Sequence, residues 1–392
     1  MPSDHAHSRS SAARRAPSGR RVLPVAVTLV AVALVGVAVA AFVVPHPSSR
    51  AAASPTPKVR AVEAAAPQGP PTVDAVTPAP GSTGVPTDTT VSVHFSVPLS
   101  PSSPTPTLTP AVSGMWQEVT PQTFAFVASA PLVPSATETV TVPGGIGGVT
   151  SATGKTLAQS STATFTVAAG STLRLQQLLA QLGYLPVSFT PARPLTAPQE
   201  AAQAQEGSFQ WRWNEPASLV SLWTVGAANP IVKGAVMGYE SQHNMKTDGQ
   251  AGPAVWQQLL ADASAGTIDP SPYNYVYVTT TLPQTTTVYS DGTAVYSTRA
   301  NTGIAAAPTA SGTFPVYLRY KVTTMSGTNP DGSKYVDPGI PWVSYFNGGD
   351  ALHGFVRGGY GYPQSLGCVE MPPANAAVVY PLTPIGTLVT VS

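Results

Sequence analysis

The chain contains one cysteine, Cys368, and a histidine fifteen residues before it, His353, and this pair could do covalent chemistry. A thiol becomes a useful nucleophile near neutral pH only beside a base or a positive charge. His353 is the base within reach, because Gly358, Gly359 and Gly361 let the intervening segment fold back as a loop. Gly367 has no side chain, so the backbone N–H groups of Gly367 and Cys368 could approach a developing oxyanion. Pro372-Pro373 predicts a short helix running to Tyr380 that stiffens this loop. The competing reading is an inert, buried thiol. A lone cysteine excludes an intrachain disulfide framework, a cysteine zinc site and an iron–sulfur cluster. The six histidines are scattered, so no metal site is expected, and no glycine-rich phosphate loop opens a helix.

The elements that must position this pair follow from composition and pattern. Charged residues make up 9% of the 392 positions, against about 25% in an average soluble protein. With 42 prolines and 34 glycines, the chain reads as mainly β, turn-rich and multidomain. No basic surface suited to nucleic acid is present. Residues 1–21 form a basic tail with five arginines, followed by an uncharged apolar run at 22–44. That run is long enough for a transmembrane helix. The arginines place the tail in the cytoplasm and the rest outside, giving a single-pass protein of the cell membrane. Secretion after cleavage of a signal peptide is the alternative, since Ala38, Ala40 and Ala41 supply small residues. Residues 45–71 are an Ala/Pro-rich linker that cannot bury enough surface to fold.

Three folded segments come next. In residues 72–167, alternating runs at Val91–Phe95, Gly114–Gln117, Thr123–Phe126 and Thr139–Val142 predict an antiparallel β-sandwich. His94 lies in one of these strands and reads as a packed or solvent-facing residue. In residues 171–266, Leu173, Leu175, Leu178, Leu179 and Leu182 share a helix face that Gly183 ends. Asp248-Gly249 makes a turn and Gly252-Pro253 opens another helix, which returns Trp256 to the core. Between Val187 and Ser221, Phe209, Trp211 and Trp213 read as core packing, with stacking on glycan as the alternative. Residues 272–392 are again β-rich, with a hairpin turn at Asp291-Gly292.

Several motifs carry resemblances. Pro78 to Pro86 resembles the opening of bacterial Ig-like modules, and Asp248-Gly249 through Trp256 is similar to a signature of small helical peptidoglycan-binding modules. His353-Gly354, followed by Ser365-Leu366-Gly367-Cys368-Val369, resembles the L,D-transpeptidase (YkuD-like) catalytic domain, with support from Asn301-Thr302-Gly303 and from Met325 to Thr328. The resemblance implies that Cys368 is the acyl-accepting nucleophile and His353 the general acid/base, while Ser365 and Gly367 shape the catalytic loop. Gly354, Met325, Ser326 and Tyr345 would contact substrate. The family's Arg or Asn after the cysteine motif is replaced by Glu370, which puts a carboxylate contact there in doubt.

The implied reaction makes 3-3 peptidoglycan cross-links through a thioester, in cell wall biogenesis. Its partners are stem peptides and glycan, carbapenem β-lactams are inhibitors, and no cofactor is needed. The alternatives are an L,D-carboxypeptidase or amidase of the same fold, and a non-catalytic wall-binding protein.

Overall fold

The computed structural model describes residues 69–392. The basic tail, the apolar run at 22–44 and the linker up to residue 68 lie outside the described residues. Among the described residues, no helix is long and apolar enough to cross a membrane.

Seven strands form the first module: β1 (Val73–Thr77), β2 (Val91–Phe95), β3 (Thr107–Thr109), β4 (Gly114–Thr120), β5 (Thr123–Ala128), β6 (Thr137–Val142) and β7 (Ser161–Thr166). They make two sheets, ordered β1-β2-β5-β4 and β3-β6-β7. Alternation puts Val91, Val93 and Phe95 of one sheet against Val140, Val142 and Phe165 of the other, while His94 faces outward and bonds Thr123.

Glu138 breaks this pattern. It occupies an inward position of β6, and neither carboxylate oxygen has a hydrogen-bond partner. Burial pushes its pKa up to about 7. The folded state therefore holds this proton more tightly than the unfolded state, and stability falls as pH rises from the ordinary carboxylate range through 7. Glu138→Leu is expected to stabilise the protein by about 1–3 kcal/mol at pH 8, and by much less at pH 4. Urea unfolding at the two pH values reads the difference, and an equal effect at both would refute the assignment.

The second module contains α1 (Thr172–Gln181), β8 (Val187–Pro191), β9 (Gly207–Trp211), α2 (Ala217–Val220), α3 (Pro230–Gln242) and α4 (Pro253–Ala265). The Ser171 side chain caps α1 by accepting from Arg174 N–H, and Gly183 follows the helix at φ 88°. Leu178, Leu179, Trp256 and Leu259 meet in its core. Within the stretch from Val187 to Ser221 the chain forms a two-stranded hairpin, β8 with β9. Its apolar residues recur with period two, so Val187 and Phe189 turn inward while Ser188 and Thr190 face out. Phe209 packs on Phe189 and Trp223 at ring separations of 5.0 and 5.4 Å, and Phe209 and Trp211 lie against the core.

The last module contains β10 (Asn274–Thr279), β11 (Thr285–Ser290), β12 (Thr293–Arg299), β13 (Gly312–Pro315), β14 (Leu318–Thr328), β15 (Lys334–Asn347), β16 (Asp350–Gly354), β17 (Val369–Met371), α5 (Pro373–Val379) and β18 (Leu388–Val391). One sheet runs β12-β11-β10-β18-β13 and the other β14-β15-β16-β17. Val276, Val278, Val389 and Val391 of the first sheet pack on Phe346, Leu352, Val369 and Met371 of the second. The opposite face of β10 presents Tyr275 to the helical module, so this strand is covered on both sides. Asp291 (φ 49°) and Gly292 (φ 72°) make the β11–β12 turn.

Helix α3 seats on the last module through glycine. A Cβ added at Gly234 would lie 2.5 Å from the Gly386 carbonyl oxygen and 2.9 Å from Leu388. Backbone cannot yield as a flexible side chain can, so Gly234→Ala is expected to cost about 1–3 kcal/mol through overpacking. A drop in the denaturant midpoint at unchanged slope would show it, and an unchanged midpoint would refute it.

Candidate active site

The imidazole sits on β16, and the thiol stands one residue before the neighbouring parallel strand β17. In the β16–β17 register, Leu352 faces Val369 and His353 faces Glu370. Cys368 therefore precedes the first paired residue and stands opposite Ala351. Side chains alternate along a strand, so Cys368 and Glu370 share a face with Ala351 and His353. Ideal sheet spacings separate the Cys368 and His353 Cα positions by about 8 Å. No hydrogen bond joins the two side chains among the described residues.

His353 is 2% exposed, and its Nδ1 lies 3.0 Å from the Gly354 carbonyl oxygen. A carbonyl can only accept, so Nδ1 carries the proton and Nε2 is left as the acceptor. Burial lowers the His353 pKa from its ordinary value, opposed by this hydrogen bond and by the charge of Glu370. Burial pushes the Cys368 thiol up to about 12, and the charges of Asp350 and Glu370 add to the shift. The thiol's hydrogen points to the Gly349 carbonyl, with Sγ 3.6 Å from that oxygen. The resting pair is thus a neutral thiol and a neutral imidazole. A thiol in this state could react only if its proton moved to a base, which would be general-base rather than preformed-thiolate chemistry.

The loop before the cysteine is fixed on both sides. Ser365 Oγ donates to the Cys368 carbonyl at 2.5 Å and accepts from Gly367 N–H at 3.3 Å. The Gly367 amide, expected to be free for an oxyanion, is therefore engaged, although at a length that marks a weak bond. Gly367 adopts φ 117°, and a Cβ there would collide with the Asp350 carboxylate. Asp350 in turn accepts from Ala310 N–H at 3.1 Å. Asn301, fully buried, pairs its backbone with Glu370 and accepts from Gly361 N–H at 2.9 Å, which holds the glycine-rich loop. Thr309 accepts from Gly303 N–H at 2.8 Å, and Gln284 accepts from Thr302 N–H at 2.8 Å.

The four residues expected to contact substrate fall in different places. Met325 and Tyr345 pack with Cys368 on a small cluster formed by Ile340, Val343 and Ala351. Ser326 is exposed on β14, opposite Val336. Gly354 is buried, and a Cβ there would meet Pro373 at 2.9 Å and Pro341 at 3.0 Å, so it serves close packing of α5 on the sheet.

Sequence reading missed Arg357. Its Nε and Nη2 reach the two Glu370 oxygens at 2.8 and 2.7 Å, a bidentate pair, and its guanidinium lies 4.5 Å from the centre of the Phe355 ring. That ring meets His353 edge-on at 6.1 Å. The available signal was alternation: 353, 355 and 357 share parity, and a carboxylate two residues after the lone cysteine calls for a cation if it is buried. Asp350 and Gln284 left no such signal, because the Ala310 and Thr302 amides that they accept from are brought near only by the fold.

Among solved structures, an L,D-transpeptidase from Mycobacterium smegmatis aligns at 14% identity over 83% of this chain and 100% of its own, with a TM-score of 0.28. The catalytic domain from an E. faecium L,D-transpeptidase aligns at 26% identity over 30% of this chain and 96% of its own, with a TM-score of 0.28. L,D-transpeptidase 3 from Mycobacterium tuberculosis, in complex with a faropenem-derived adduct, aligns at 13% identity over 82% of this chain and 97% of its own, with a TM-score of 0.28. No curated protein matches the chain. Residues 67–167 match the family model of the bacterial Ig-like domain. The segment that carries His353, Cys368 and the loop between them, residues 273–391, matches the family model of the L,D-transpeptidase (YkuD) catalytic domain.

Proposed function

We propose that the protein is a cell-wall L,D-transpeptidase in which Cys368 takes the acyl group and His353 moves the protons, forming 3-3 cross-links. The observation that supports this reading most is the face shared by β16 and the residues entering β17, where a half-buried thiol and a buried imidazole with Nε2 left to accept stand close together. Cys368 Sγ attacks the carbonyl of the diamino acid at stem position three, and its proton passes to His353 Nε2. The C–N bond to the terminal D-Ala breaks, the leaving amine takes that proton, and a thioester remains. The side-chain amine of a second stem then attacks the thioester and gives its proton to His353, which returns it to sulfur. Burial of the pair disfavours ions in the ground state, so charge develops only as the proton moves.

The same reading includes acylation by carbapenems, a helical module that holds peptidoglycan and an N-terminal run that anchors the chain in the membrane. The test is incubation of the protein with a tetrapeptide stem, with and without an acceptor stem, followed by mass spectrometry. A cross-linked product missing one D-Ala supports the proposal. Tripeptide alone, with no cross-link at saturating acceptor, would show a hydrolase instead.

A further inference from the structure

A cleft of about 920 Å³ lies between the sandwich and the helical module, within the roughly 300–1,000 Å³ usual for ligand sites. Val112, Pro131 and Val133 line it from the sandwich, and Leu182, Leu260 and Ile268 from the helical module. The two modules share one core here, since Val133 and Ala136 belong to the same buried cluster as Leu178 and Trp256. Gln203 also bonds Asp88 across the junction at 3.0 Å. No Asp or Glu lines the cleft, and neither does any aromatic residue.

Arg174 opens onto this cleft although it is only 2% exposed. Its Nε donates to the Ala201 carbonyl at 2.9 Å and its Nη1 to Gln177 Oε1 at 3.4 Å. Both acceptors are neutral. Nη2 has no hydrogen-bond partner, and no carboxylate comes within 4.0 Å of the guanidinium among the described residues. Burial alone lowers its pKa to about 10, with no neighbouring charge contributing. The other cation lining the cleft, Arg193, is paired with Glu200 at 3.3 Å. A buried, unpaired charge is costly, and guanidinium is well suited to a carboxylate in a fixed geometry.

We propose that this cleft is a second binding site, which takes a short peptide with small aliphatic side chains and a free C-terminal carboxylate seated on Arg174. The carboxylate replaces the missing counter-charge, and the aliphatic walls receive the side chains. The absence of aromatic residues disfavours a sugar ring as occupant, because no stacking platform exists. Identifying the ligand as the end of a wall stem peptide rests on the proposed function. The carboxylate site itself does not.

The test uses the full chain carrying Cys368→Ala, titrated calorimetrically with D-Ala-D-Ala as free acid and as C-terminal amide. The free acid is expected to bind, with the amide at least about 10-fold weaker. Arg174→Gln is expected to weaken the acid by a similar factor. So is Ala261→Trp, which fills the cleft from α4 and leaves Arg174 in place, so a folding defect of the arginine variant does not decide the outcome. Equal binding of acid and amide, undiminished binding by both variants, or no binding of the acid would overturn the proposal. Carbapenem acylation of Arg174→Gln with Cys368 intact reports on the catalytic reading separately.

Discussion

Cys368→Ala is expected to abolish covalent adduct formation with a carbapenem and to lower transpeptidation by at least about 10⁴-fold, the scale seen when a catalytic nucleophile is removed. Intact-mass analysis reads the first effect directly: the wild-type chain gains the mass of the drug and the variant gains none. An adduct on the variant would remove Cys368 from the mechanism. His353→Gln should cost less, about 10²–10⁴-fold, because it removes proton transfer and leaves the nucleophile. The directions of the two pKa shifts add a pH signature. Protonated His353 cannot accept the thiol proton, so the rate falls below its pKa. Burial lowers that pKa, which moves the acid limb of kcat/KM below the ordinary histidine value of about 6.5. The thiol at about 12 stays protonated through neutrality. Iodoacetamide should therefore alkylate Cys368 at pH 7 at least about 10-fold more slowly than free cysteine. Rapid alkylation at pH 7 would show a preformed thiolate and refute the neutral pair.

Much of this arrangement was legible in local pattern. Alternation marked Val91–Phe95; Gly183 and Asp291-Gly292 marked turns that take positive φ, and Gly252-Pro253 marked the start of α4 with proline at its first position. The sequence spacing of His353 and Cys368 suggested a loop fold-back. The loop joins β16 to the parallel strand β17 and sets Cys368 one residue before it, a pairing that no local signal encodes, because the register is set by packing of Leu352 and Val369 into the core between the sheets. The β8–β9 hairpin was hidden because helical patterns flank it on both sides, at Leu173–Leu182 and after Gly252. Glu370 was read as a lost contact. Its partner, thirteen residues earlier, became visible only when the glycine-rich loop brought Arg357 to its carboxylate.

That pair carries the second large effect. Glu370 is 4% exposed and Arg357 holds both of its oxygens, so removing the cation alone leaves an uncompensated buried carboxylate. Arg357→Met is expected to destabilise the protein by about 3–5 kcal/mol at neutral pH. The sign of the pH dependence follows from linkage. An unpaired buried carboxylate binds its proton more tightly when folded than when unfolded, so the loss grows as pH rises above the ordinary value of about 4.3 and shrinks in acid. Glu370→Gln acts on chemistry as well. The Glu370 charge favours protonated His353 and raises the Cys368 pKa, so its removal should move the acid limb of kcat/KM to lower pH and speed alkylation of the thiol. A purely structural role would lower the rate without moving that limb. The double variant Arg357→Met with Glu370→Gln should be less destabilised than the sum of the single ones, because neither charge is left alone. Additive losses would show that the two side chains act independently, despite lying 2.7 Å apart. A coupled result would mean that the catalytic motif tolerates an acid after its cysteine because the loop supplies the opposite charge, which keeps the ground around His353 and Cys368 close to neutral.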